Sequence, residues 1–587
     1  MHMKIKNFLF SLFAILTFID CTIADAQTVL PFNPKVIKGK LDNGLTYYIL
    51  PNKKPENKVE LRLALNAGAI NEDDNQQGLA HMAEHMAFNG TKNFKKNDII
   101  SFLQDIGVGF GSDLNAYTGF DETVYILPIP TSKPENLEKG FQVLEDWAHN
   151  VSYNNDDIDG ERPIILEESR LGKGADDRMF RKLYPKLFKG SLYANRLPIG
   201  IDSIIKSFPY DEIKRFYKDW YRPDLMAVIV VGDITVEKAE ALIKKHFTGL
   251  KNPETIRERK YAAVPAYTSS DALVVTDKEA TSYQVSVQYP TFVKQDLVTD
   301  IDYKNQQIRS LFSSIFNQRL QELTQKENPP YLYAYGDFGS YARGYDAFSL
   351  AAGSGTNNPT TALTALMTEV ERAKRFGFTQ AELERAKKSY LSRMEKAYND
   401  RDKTESVALI DELVRNFLEK EAMPGIEVEY ELTKKMLPTI TLENINAVLD
   451  VIKGDKNKLV AVMGPEGTDK MILPDSMKLI QTLASAEKAD VKAYEEKVIA
   501  ANLLSKEPTA GKVVSKIADV KLGTNTLKLS NGVTVTLKKT DFKNDEIIMS
   551  AARYGGKNAY GLKDKFNAEY ATQIAALWVL EISLLPI

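Results

Sequence analysis

Gly78-Leu79-Ala80-His81-Met82-Ala83-Glu84-His85-Met86-Ala87-Phe88 places two of the five histidines of this 587-residue chain, with a glutamate between them, in one apolar stretch. At 3.6 residues per turn, His81 and His85 stack one turn apart and Glu84 lies on the same side of the helix. Two imidazoles so placed can share a metal ion. Zn²⁺ takes neutral imidazole nitrogens at about 2.0–2.1 Å, and a catalytic site needs three protein ligands plus one position left for water, so a third ligand must come from elsewhere. Glu84 is the natural base for that water. The competing reading is a helix with a solvated polar side. Leu79, Ala80, Met82, Ala83, Met86, Ala87 and Phe88 argue against it, because little besides the three polar residues is not core material.

His-x-x-Glu-His is the inverse of His-Glu-x-x-His and is a zinc-peptidase signature. Together with Phe88-Asn89-Gly90-Thr91, Asn115-Ala116-Tyr117-Thr118 and Asp121-Glu122-Thr123-Val124-Tyr125, it resembles the pitrilysin and insulin-degrading family of zinc peptidases, and within it the bacterial periplasmic two-half members. The resemblance implies an α+β fold of tandem homologous domains of the LuxS/processing-peptidase type, each a mixed or antiparallel sheet packed by helices. It also implies one Zn²⁺ per chain and hydrolysis of peptides or small unfolded proteins by Glu84-assisted attack of a metal-activated water. The family's third ligand lies in a pattern matched here by Glu161-Arg162-Pro163-Ile164-Ile165-Leu166-Glu167-Glu168, which makes Glu168 the implied ligand. Glu161 lies about two turns before it, on the same face, where it can hydrogen-bond a ligand from outside. Glu167 points elsewhere, into solvent. Proline is tolerated in the first turn of a helix, so Pro163 predicts a helix starting near Gly160. A start much earlier predicts a kink that moves Glu168 and makes Glu167 its competitor for the metal.

The resemblance also implies that Asn115 and Ala116 form a strand edge that binds the extended substrate through main-chain hydrogen bonds, which ignore side-chain identity. The Gly107-Val108-Gly109-Phe110-Gly111 run before them lacks the spacing and following helix of a dinucleotide loop. No Gly-x-Ser-x-Gly elbow offers a serine nucleophile. With 76 Lys and Arg against 79 Asp and Glu, a net charge of −3 and no basic tract, composition argues against a nucleic-acid partner.

The amino terminus reads as a secretory signal. Met1-His2-Met3-Lys4-Ile5-Lys6-Asn7 is basic, residues 8–19 are apolar but too short to span a bilayer, and Ala24-Asp25-Ala26 offers small residues for cleavage near Ala26. A periplasmic or secreted mature chain with no stable membrane span follows. The single cysteine, Cys21, precedes that site, and Asp20 before it argues against lipid attachment.

Periodicity predicts a strand pair at 45–50 and 59–67, helices at 134–150 and 160–171, and a strand at 225–231. These elements fall in a catalytic domain over 30–255. A second unit over 256–480 has a long helix without histidine and would be the inactive domain of the resemblance; a charged helix and linker follow over 481–525. Leu529-Ser530-Asn531-Gly532-Val533-Thr534-Val535 then repeats Leu41-Asp42-Asn43-Gly44-Leu45-Thr46-Tyr47 at an offset of 488 residues, so a third domain starts near 526. The same offset sets Glu569 and Gln573 where His81 and His85 stand, so that copy carries no zinc pair. The 526–587 stretch is expected to be a truncated domain. A homo-oligomer or a missing C-terminal half is the expected partner besides peptide substrates. Two alternatives accompany the peptidase reading: a fragment that binds zinc and peptide with little turnover, and a non-catalytic processing or assembly partner.

Overall fold

The computed structural model describes residues 27–109, 115–453, 457–467, 471–496 and 508–582. The signal-like segment with Cys21, residues 110–114 of the lead-in to Asn115, and residues 583–587 lie outside the described residues.

The first sheet has six strands: β1 (Ile37–Lys40), β2 (Thr46–Pro51), β3 (Lys58–Leu65), β4 (Asn115–Thr118), β5 (Thr123–Pro130) and β6 (Met226–Gly232). Their order is β1-β2-β6-β3-β5-β4, with β2 and β6 parallel and all other neighbours antiparallel. The expected strand pair at 45–50 and 59–67 is therefore wrong in its pairing: both strands form, but β6 lies between them. The reason is visible in β6, whose Met226-Ala227-Val228-Ile229-Val230-Val231-Gly232 run is buried at every position. Such a run suits a central strand covered on both faces.

Both faces are in fact covered. On one, Val59, Leu61, Leu63, Val228 and Val230 pack with Leu79, Met82 and Met86 of α1 (Leu79–Met86) and with the helix Pro134–His149. On the other, Tyr48, Leu50, Ala64, Ile229 and Val231 pack with Ile410, Leu413, Val414 and Leu418, which come from a helix far later in the chain. Two further helices matter here, α2 (Asn155–Gly172) and α3 (Ala175–Leu187); the late one is α4 (Ser406–Glu419).

The second sheet is built from β7 (Asp271–Thr276), β8 (Tyr283–Gln288), β9 (Phe292–Val293), β10 (Tyr333–Ala342), β11 (Tyr345–Gly355) and β12 (Leu459–Gly464), in the order β10-β11-β8-β12-β7 with β9 on β11. Only β7 and β12 are parallel. Read from β7, this is the first sheet again from β2: β7, β12, β8, β11 and β10 stand where β2, β6, β3, β5 and β4 do. The helix Asp300–Leu323 takes the place of α1 and carries no histidine. The exchange of helices is mutual, since Leu183 of α3 packs on Leu459 and Ala461 of β12.

The sequence repeat has a structural counterpart in a third, three-stranded sheet, β13 (Val513–Asp519), β14 (Thr524–Leu529) and β15 (Thr534–Lys538). The β14–β15 turn copies the β1–β2 turn bond for bond. Gly44 N–H donates to Leu41 O at 2.9 Å and Gly532 N–H to Leu529 O at 2.9 Å. Leu45 and Val533 N–H donate to Asn43 Oδ1 and Asn531 Oδ1, each at 3.1 Å. Both glycines have φ near +90°, at +94° and +88°, which is why Asn-Gly recurs there. β13 falls inside the stretch read as helix and linker. Its β-branched Val513, Val514 and Ile517 suit a strand but are masked by the charge around them, and β13 is exposed throughout.

Candidate metal centre

α1 begins at Gly78, whose φ of +103° suits glycine and whose added Cβ would lie 2.7 Å from Ile205 Cδ1. The first turn is capped by a buried carboxyl group. Glu72 Oε1 accepts from the N–H of Gly78 at 2.9 Å and of Ala80 at 2.8 Å, and burial pushes its carboxyl up to about 8. An acidic group at a helix N-terminus is favoured by the unpaired N–H groups there. Sequence reading missed Glu72 because a cap is sought at the residue just before the helix, and this one reaches back from six residues away.

Leu79, Ala80, Met82, Ala83 and Met86 are buried, and His81, Glu84 and His85 border a cleft of about 670 Å³. Across the cleft, α2 presents Glu161 and Glu168. Glu168 Oε2 lies 3.8 Å from His81 Nε2 and 3.5 Å from His85 Nε2, and the donor atoms of His81, His85 and Glu168 all fall within 4.8 Å of one another. Ligands at about 2.0–2.1 Å and tetrahedral angles stand roughly 3.3–3.4 Å apart, so these separations fit three donors aimed at one small cation. Two imidazoles and a carboxylate are a zinc donor set.

The supporting bonds favour that use. His85 Nδ1 donates to Glu161 Oε1 at 2.8 Å, and Glu161 Oε2 accepts from Asn89 Nδ2 at 2.6 Å. With Nδ1 protonated, Nε2 keeps its lone pair for the cleft. Burial raises the Glu161 carboxyl, but the bonds from His85 and Asn89 outweigh it and hold it below the usual glutamate range. Burial, with His85 alongside, drops His81 to about 3, so its ring is neutral, as a ligand must be. Its Nδ1 is buried and makes no hydrogen bond among the described residues. Burial raises the Glu84 carboxyl, partly offset by the Thr118 hydroxyl, which donates to Glu84 Oε2 at 2.5 Å. Nothing in the sequence signalled that Thr118–Glu84 bond.

α2 starts at Asn155, so Pro163 is its ninth residue and the expected start near Gly160 is corrected. The anticipated displacement of Glu168 does not follow. Pro163 and Asp159, whose carbonyl loses its helical partner to the proline, are both on the exposed side, where solvent can serve that carbonyl. Glu167 is held by Arg170 Nε and Nη2 at 2.7 and 2.6 Å on the outer face. Asn115 and Ala116 lie on β4, which among the described residues pairs only with β5 and so leaves its other edge open along the cleft.

Replacing Glu161 with Ala is expected to weaken zinc binding by about 10–100-fold, the usual effect of removing the group that orients a ligating histidine. Competition against a chromophoric chelator reads this directly, and unchanged affinity would show that His85 is oriented without Glu161.

A sheet that repeats itself in tandem defines a fold of two like domains, the first bearing the zinc-peptidase signature His-x-x-Glu-His on its helix and the second none. The chain belongs to the insulinase family, peptidase family M16. The insulinase family model matches residues 47–197 and the model of the M16 inactive domain matches 207–390, together more than half of the chain. The chain is 31% identical over 540 residues to a zinc protease PQQL-like protein of Arabidopsis thaliana, covering 92% of this chain and 53% of that one. It is 32% identical over 447 residues to a probable zinc protease PqqL of Haemophilus influenzae, covering 74% and 47%. The crystal structure of the first half of the periplasmic protease PqqL from Escherichia coli superposes with a TM-score of 0.74 at 27% identity, over 80% of this chain and 100% of that one. This chain spans about half the length of the curated relatives it matches.

Proposed function

We propose that this protein is a zinc-dependent peptidase of the periplasm or extracellular space, acting on peptides or small unfolded proteins. The observation that carries the reading is the convergence of His81, His85 and Glu168 on one point beside Glu84, in a cleft bordered by an open strand edge. His81, His85 and Glu168 would hold a zinc ion, which when bound would supply Lewis acidity, lowering the pKa of a water towards 7 and polarising a peptide carbonyl. Thr118 holds Glu84 Oε2, so Oε1 is the atom that accepts the water's proton and returns it to the leaving amine. β4 binds the peptide backbone at Asn115 and Ala116 and sets it parallel to the cleft. Glu161 keeps His85 oriented throughout.

The compartment is supported by the signal-like amino terminus and by the likeness to a protein described as periplasmic. No helix among the described residues is long and apolar enough to cross a membrane. A second reading, a chain that binds zinc and peptide with little turnover, is favoured by the chain's spanning about half the length of the curated relatives it matches. Purified protein is expected to hold close to one zinc per chain and to cleave a quenched peptide in a manner lost to a chelator and restored by zinc. Peptide binding without cleavage at full zinc occupancy would favour the second reading; absence of zinc under metal-replete conditions would defeat both.

A further inference from the structure

β4 runs into a tight turn, Gly119-Phe120-Asp121-Glu122, before the chain returns as β5. Gly119 N–H donates to Glu122 O at 2.7 Å to close it. The turn is then gripped from three sides. Its Gly119 and Phe120 carbonyls accept from Ala69 N–H at 3.1 Å and Ile70 N–H at 2.8 Å, on the segment that leads into α1. Space there is tight: a Cβ on Gly68 would stand 2.6 Å from Gly119 O, and one on Gly119 would stand 2.6 Å from Glu122 Oε1. Asp121 is buried, accepting from Arg259 Nη2 at 2.9 Å and from the Tyr193 hydroxyl. Phe120 stacks on Tyr184 with ring centroids 5.7 Å apart.

The third grip comes from the other domain. Arg343 sits at the tip of the β10–β11 hairpin of the second sheet, and its Nη2 donates to Glu122 Oε2 at 2.6 Å. Its Nη1 donates to the Leu418 carbonyl at the end of α4 and lies 3.4 Å from Asn66 Oδ1. The pair is largely shielded, with side-chain exposures of 11% and 24%. Tyr341 and Tyr345, which flank the tip, pack into the same aromatic cluster as Phe120. An arginine with three acceptors is a directional clamp rather than a loose surface charge.

Thr118, the residue just before the turn, is the one that holds Glu84. We infer that Arg343 is a positioning residue: by holding Glu122 it fixes the β4–β5 turn, and through it both the Thr118–Glu84 hydrogen bond and the open edge of β4. The domain without metal ligands thereby sets the geometry of the domain that has them. This inference rests on the reading of Glu84 as the base and β4 as the peptide-binding edge.

Arg343→Ala is expected to lower kcat for a quenched peptide by about 10–100-fold, the scale of effect when a reacting group is misplaced by about 1 Å, with zinc stoichiometry unchanged. Arg343→Lys, which keeps a cationic donor facing these acceptors, should recover part of that loss, which a general weakening of the fold would not do. Amide hydrogen exchange over residues 115–123 should rise in Arg343→Ala and return partway in Arg343→Lys. That second readout tests the clamp even if the wild-type chain proves unable to cleave, a result that would count against the proposed function alone. The inference is overturned if exchange over 115–123 is unchanged in Arg343→Ala, if activity per folded molecule equals wild type, or if activity falls only in step with zinc content.

Discussion

Glu84→Gln leaves zinc in place and lowers turnover of a quenched peptide by about 10²–10⁴-fold, the span that general acid–base catalysis supplies. The substitution keeps the shape of the side chain, and its amide oxygen can still accept from Thr118. What it removes is the ability to take a proton. Glu84 is close to the metal donors without being one: the three that converge are His81, His85 and Glu168. Zinc content should therefore stay near one per chain while cleavage disappears, and peptide should still bind along β4. Residual cleavage within a few-fold of wild type would assign the proton to some other group.

His85→Ala gives the opposite pattern, losing metal and activity together. The expected fall in zinc affinity exceeds the roughly 10–100-fold that follows loss of an orienting partner, because a coordinate bond goes as well as its support. Removing the ring also leaves Glu161 buried, bonded through its side chain among the described residues to Asn89 alone. Glu168→Gln is the companion experiment. An amide is a poorer zinc ligand than a carboxylate, and Glu167 is tied to Arg170 on the far side of α2, so it offers no substitute. Zinc bound at wild-type affinity in both variants would overturn the assignment of the donors.

α1 was legible because three signals coincide in eleven residues: an apolar background, helical spacing, and polar side chains confined to one face. Glu168 was legible only through resemblance, since a glutamate in a charged helix carries no mark of its own. Pro163 carried too much weight in the reading of α2, because the rule against an internal proline concerns an unserved carbonyl, and here that carbonyl belongs to the exposed Asp159. The pairing of β2 with β3 failed for a different reason. Neighbours in sequence are a fair guess for neighbours in a sheet, yet the burial of β6 on both faces demanded a central place that only its evenly apolar run could hint at. Thr118 and Arg343 were out of reach, for each acts across tens or hundreds of residues through a contact that no local pattern encodes, and Glu72 because it caps α1 from six residues before Gly78.

The mutual exchange of helices α3 and α4 bears on how small a working unit this chain can be cut into. A piece ending near residue 255 would keep every candidate metal ligand, but it would lose Ile410, Leu413, Val414 and Leu418 from the back of its sheet. Each such side chain contributes about 1.5–3 kcal/mol when fully buried, so their sum rivals the whole net stability of an ordinary domain. The bared Tyr48, Ile229 and Val231 would form a greasy plate seeking any cover. The least divisible part of this molecule is thus a two-lobed body in which the lobe without metal donors serves as the lid on the underside of the lobe that carries them.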